Sequence, residues 1–103
     1  QDAKLKADQD EALLNLDRLN NLTNVRNKFI QSVLPLCTKV TDEMPVDVNL
    51  VLEIGSKGDV KRQWRKEDSK ISSCFQKVAV DNFFFWNAGK AIFISFKFAH
   101  DDR

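Results

Sequence analysis

The sequence predicts a small α+β domain. It is a three-stranded antiparallel sheet (a β-hairpin, a helix, then a last strand) with helices packed on one face and a helical lead-in at the N-terminus. Three observations predict it. The stretches VDVNLVLEI and AIFISFKFA alternate apolar and other residues with a period of two, which gives a strand one buried face. Residues 22–40 and 67–83 repeat apolar residues at steps of three and four, which gives a helix one buried stripe. GSKGD separates two strand-like runs and supplies the glycines of a tight turn.

Residues 1–21 hold no glycine, proline or aromatic and are rich in helix-forming Ala, Lys, Leu and Gln. Leu5, Ala12, Leu16 and Leu19 approach heptad spacing, and Leu13 widens the stripe. Fewer than three clean heptads favour an amphipathic arm over a coiled coil. The division is therefore a linker or lead-in over residues 1–21 and a domain over 22–103. In the next segment Leu22, Val25, Phe29, Val33, Leu36, Cys37 and Val40 form one face of a helix. Pro35 lacks an amide hydrogen and disfavours helical geometry before it, so the helix is expected to end or kink near Leu34.

Val46, Val48, Leu50, Leu52 and Ile54 then face one way along the first strand. Gly58 is the expected positive-φ residue of the turn. In the return strand Val60, Arg62 and Trp64 share one face, and Lys61, Gln63 and Arg65 the other. The following helix is capped by Asp68 or Ser69 and carries Ile71, Cys74, Phe75, Val78 and Ala79 inward. Phe83, Phe84, Phe85 and Trp86 are four consecutive aromatics that cannot all enter the core, so Trp86 is a candidate surface contact. A turn at 87–89 leads to the last strand. There Ile92, Ile94, Phe96 and Phe98 face the core, and Phe93, Ser95 and Lys97 face away.

Composition narrows function. A net charge of +1 makes nucleic acid or an anionic membrane an unsuitable main partner. The longest uncharged run, Phe29 to Thr38, is half the length that spans a bilayer. The chain is expected to be either cytoplasmic or to have lost a leader or anchor, and its opening at Gln1 without a methionine favours removal, whether by processing or by trimming. Two cysteines and one histidine are too few for a tetrahedral zinc site, and no cofactor is expected. No serine-hydrolase elbow, zinc-protease motif or phosphate-binding glycine loop is present, and His100 sits in the terminal AHDDR, so no enzyme is expected.

Cys37 and Cys74 lie on the apolar sides of helices that cover the same sheet face. They read as two buried thiols or as a disulfide. A bridge would close a loop of about 38 residues, worth roughly 4 kcal/mol in the chain-entropy model. Six basic residues between 57 and 70 (Lys57, Lys61, Arg62, Arg65, Lys66 and Lys70) stand against Asp59, Glu67 and Asp68. That surplus makes Arg62, Trp64 and Arg65 candidates for a partner, or a solvated face that discourages edge-to-edge pairing.

In this order the elements resemble a TonB/TolA C-terminal domain, closest to the cysteine-containing variants of AgmX- and TolA-like energizer proteins. The matching pieces are the helix ending near Cys37, VNLVLEI, the turn GSKGDV with its Gly58-Asp59-Val60, VKRQW, SSCF, FFFW and IFISFKF. The resemblance covers about residues 22–99. It implies a periplasmic domain of a Gram-negative envelope system, with membrane attachment only through an upstream anchor. Such a domain binds envelope proteins or peptides by adding an extended segment to a strand edge. Phe93, Ser95 and Lys97 of the last strand are then the first candidates, and an oxidising periplasm suits a Cys37–Cys74 bridge. A small periplasmic or secreted inhibitor, such as an immunity protein blocking a toxin, fits the small size, disulfide and charged hairpin equally well.

Overall fold

A computed structural model describes residues 2–39 and 47–98. Six elements follow in order: α1 (Asp2–Ala12), α2 (Leu16–Lys39), β1 (Val48–Ile54), β2 (Val60–Arg65), α3 (Lys70–Asn82) and β3 (Ile92–Phe98). They form the expected α+β fold. Val40, Val46 and His100 lie outside the described residues.

The sheet order is β2-β1-β3, antiparallel throughout. β1 takes the centre because it is apolar on both faces. Val48, Leu50, Leu52 and Ile54 are buried on one side, and Val51 is buried on the other. β2 has no such second face. Its residues are mostly charged and exposed, which suits an edge strand.

The core lies between the sheet and the α2/α3 layer. Ile92, Ile94 and Phe96 extend the β1 row, and Leu22, Phe29, Val33, Ile71, Phe75 and Ala79 meet it from the helices. Phe29, Phe83 and Phe96 pack edge-to-face with centroids 5.0–5.7 Å apart, tying α2, the α3–β3 link and β3 together. Cys37 and Cys74 are bridged, with Cα atoms 5.6 Å apart. The bridge fastens the end of α2 to α3.

Two local expectations are revised. Of the end or kink expected near Leu34, the end does not occur: α2 runs through Pro35 to Lys39. Proline deletes the bond that residue 35 would donate to Gln31, and both residues are exposed, where the loss of one helical bond costs less than in the core. Past Pro35 the helix turns Leu36 outward, at 55% exposure, and Cys37 inward. In the hairpin the pairing register shifts between Glu53 and Ile54. Val60 therefore pairs with Ile54 on the core side, while Arg62 and Trp64 pair with Glu53 and Val51 and face the other way. One extra residue in a strand reverses every side chain beyond it.

Caps and turns are set by specific side chains. Asn15 Oδ1 accepts from Arg18 N–H at 2.7 Å and starts α2. Ser69 caps α3 in a reciprocal box with Ser72. The β1–β2 turn closes through Gly55 N–H to Asp59 O at 2.8 Å, with Gly58 at φ +99°. Lys61 bonds the Asp59 carboxylate and holds its pKa below the usual carboxylate value.

In the aromatic link Phe83 and Phe85 are buried while Phe84 and Trp86 are exposed. The turn after it places both Ala88 (φ +53°) and Gly89 (φ +78°) in left-handed conformations, closed by Lys90 N–H to Asn87 O at 3.0 Å. A Cβ in that region costs about 1 kcal/mol, less for asparagine, whose side chain compensates locally. Ala88→Asn is expected to raise stability by about 0.5–1 kcal/mol in urea unfolding. A loss of stability would show that the alanine is not strained.

α1 is the element whose place the sequence did not foretell. It packs against β3 and β1 on the face opposite α2 and α3, and buries Ala7 there. The sheet is thus sandwiched between helices. The expected boundary between residues 21 and 22 falls inside α2, and Leu5 and Leu16 belong to separate helices, both exposed.

Candidate functional site

The two outer strands of the sheet offer main-chain groups, and they differ in what meets them. On β3 the bonding alternates. Leu52, paired with Ile94, and Leu50, paired with Phe96, flank Val51, which pairs across β2 with Trp64. Lys66 N–H bonds Asn49 O at 3.1 Å, which assigns the odd residues of β1 to β2 and the even ones to β3. Phe93, Ser95 and Lys97 consequently point their N–H and C=O groups outward.

These outward groups are met by side chains. Asp10 Oδ2 accepts from Phe93 N–H at 2.9 Å. Arg26 Nη1 donates to Ser95 O at 3.1 Å. Glu11 grips the same guanidinium with both oxygens, at 2.9 and 3.3 Å. Asp10 in turn pairs with Lys6 at 3.1 Å. The edge proposed from the sequence for strand addition is thus occupied by α1 and a residue of α2. The physical cause is plain: an exposed edge has unmet hydrogen-bonding groups, and a short polar helix laid beside it can meet them.

β2 is different. By the same alternation Gln63 and Arg65 turn their main-chain groups away from β1. Among the described residues no helix side chain bonds the Gln63 amide or carbonyl. Trp64, on the face under α1, is 36% exposed. Its ring stacks on Phe93 at 5.4 Å, reaching across β1, and Arg62 lies over it at 5.2 Å.

The candidate residues from the sequence therefore fall into three groups. Trp64, Arg62 and Phe93 come together on the α1 side of the sheet. Ser95 and Lys97 share that side, with the Ser95 carbonyl already taken. Arg65 lies on the opposite side and is a brace: Nε bonds Glu67 O at 2.9 Å, Nη1 bonds Gln76 Oε1 at 2.9 Å and Nη2 meets Asp68 at 3.1 Å. Trp86 is remote from these, beside Arg18, whose guanidinium sits 5.9 Å from its ring.

The basic hairpin is less basic than its sequence. Arg62 is paired with Glu53, Lys61 with Asp59 and Arg65 with Asp68. Exposed pairs of this kind add little stability, but they remove much of the field a polyanion would feel. Every fully buried side-chain nitrogen and oxygen among the described residues has a partner. No helix among them is long and apolar enough to cross a membrane.

Sequence reading missed Asp10, Glu11 and Arg26. Asp10 and Arg26 sit 83 and 69 residues from the main-chain groups they bond, Glu11 sits 15 from Arg26, and no local pattern marks them. The chain matches no family model, no curated protein and no solved structure.

Proposed function

We propose that the chain is a protein–protein interaction domain of an oxidising compartment outside the cytoplasm, and that it binds an extended partner segment along the outer edge of β2. The carrying observation is the contrast between the two edges. β3 is met by Asp10 and Arg26, whereas β2 presents Gln63 and Arg65 outward. Strand addition draws its affinity from such main-chain groups and its selectivity from alternate side chains. Trp64, half-exposed beside that edge and fixed by Phe93 and Arg62, offers an aromatic contact at the same place.

The disulfide favours an oxidising compartment. The TonB/TolA resemblance supplies the finer reading: the periplasm, and an envelope energy-transducing or integrity system whose proteins or peptides are the partners. The experiment uses proline. Gln63 directs its N–H away from β1, so Gln63→Pro removes an outward donor and leaves the inner ladder intact, as edge-strand prolines do. Amide-shift titration with envelope-protein peptides should perturb β2 in the native chain. Gln63→Pro should weaken that binding at least tenfold while the melting temperature changes little. Equal binding by the folded proline variant would exclude the β2 edge.

A further inference from the structure

We propose that α1 is a displaceable strap: it occupies the β3 edge in the free protein and yields that edge to an acidic extended segment of a partner. The strap acts on the main-chain groups of the β3 edge, which are not those of the β2 edge, while Trp64 borders both.

The edge bond made by α1 itself is one a docked strand would make: Asp10 accepts from Phe93 N–H at 2.9 Å. Glu11 of α1 also holds the guanidinium of Arg26, an α2 residue that donates to Ser95 O at 3.1 Å. An added strand would supply a carbonyl to Phe93 N–H, and a carboxylate on it would draw Arg26 off Ser95 O and free that carbonyl for a strand amide. α1 and a docked strand therefore cannot share the edge.

α1 contributes little apolar surface of its own, although it covers Val51 and Phe93. Ala7 is the buried residue of the helix, and Leu5 is 57% exposed. A single methyl buries little area compared with the leucines and phenylalanines that fix α2 and α3. An isolated helix of eleven residues is itself marginal in water. Its remaining ties are polar: the Asp10 and Glu11 bonds, and Lys6 placed 5.9 Å from the Phe93 ring centre. The three-residue joint at 13–15 then connects the strap to α2, whose start is capped independently by Asn15.

The occupant follows from what α1 covers and leaves charged. Lifting α1 uncovers Val51 and the stacked Trp64–Phe93 pair, an apolar shelf on one side of the edge. It also leaves Arg26 without Glu11, next to Lys97. An extended segment with a carboxylate for Arg26 and an apolar residue for the shelf replaces each contact that α1 gives up.

The test uses the full chain with Asp10→Ala and Glu11→Ala combined. The Phe93 amide should exchange with deuterium at least tenfold faster than in the native chain, while the ladder amides of Leu50 and Leu52 stay protected. A synthetic peptide of alternating threonine and valine with a central glutamate should bind the double variant at least tenfold more tightly, with shifts at 93–97. Gln63→Pro in the same background should not reduce this gain. Unchanged Phe93 exchange, unchanged peptide affinity, or shifts confined to β2 would each overturn the strap. Should the double variant fail to fold, Asp10→Ala alone carries the same two readouts.

Discussion

Replacing Cys37 and Cys74 together by alanine is expected to lower stability by about 4 kcal/mol. The bridge spans a sequence separation of 37, and closing a loop of that size removes roughly this much chain entropy from the unfolded state. For a domain of this length the loss corresponds to a fall in melting temperature of about 15–30 °C. The native side contributes as well. Beyond Pro35 the last turn of α2 faces Leu36 to water and buries Cys37 fully. Without the bridge that turn loses its covalent tie to α3, so its amides should exchange faster than those near Phe29. Thiol titration of unfolded, unreduced protein should find no free thiol. A melting temperature that drops by only a few degrees on reduction would mean that the α2–α3 packing suffices by itself.

Gly58→Ala is the second large effect, a loss of about 2–3 kcal/mol. Two causes add. The residue has φ +99°, a conformation that costs a side chain on the order of 1–2 kcal/mol. A Cβ there would also stand 2.5 Å from Phe84 Cε1, far inside contact distance. The backbone cannot easily retreat, because Gly58 O accepts from Phe85 N–H at 3.0 Å and Gly58 N–H bonds Gly55 O at 2.9 Å. Phe84 is itself 58% exposed, so Phe84→Ala alone should cost little. Combining the two should recover about half of the Gly58→Ala loss, since the ring is gone and only the backbone strain remains. Simple additivity of the two losses would show that the ring moves aside freely and that the steric part is absent.

Both effects arise where the chain is fastened to itself across distance, and the sequence marked the residues more clearly than their consequences. Gly58 was readable as a turn glycine. That the ring of Phe84 closes over it was not, because the aromatic run arrives from beyond α3. Cys37 and Cys74 were readable as inward-facing. Arg65 was readable as a candidate contact on a basic strand, yet Glu67, Asp68 and Gln76 engage it along the hairpin's exit into α3. The aromatic run was readable as divided between core and surface; alternation in an extended link decided that Phe83 and Phe85 go in.

The sequence by itself determined the element types and their inward faces, because these rest on periods of two and of three to four that neighbouring residues set among themselves. It also determined the positive φ at Gly58, a local property of a residue without a Cβ. Only the tertiary structure decided that β1 is central, that α1 lies across the far side of the sheet, and that among the described residues β3 has its edge met while β2 does not. Those outcomes depend on Asp10 reaching Phe93 and Arg26 reaching Ser95. Single polar bonds between residues 69 and 83 positions apart leave no period in the chain, and they exist only once the sheet and its helices have brought the partners together.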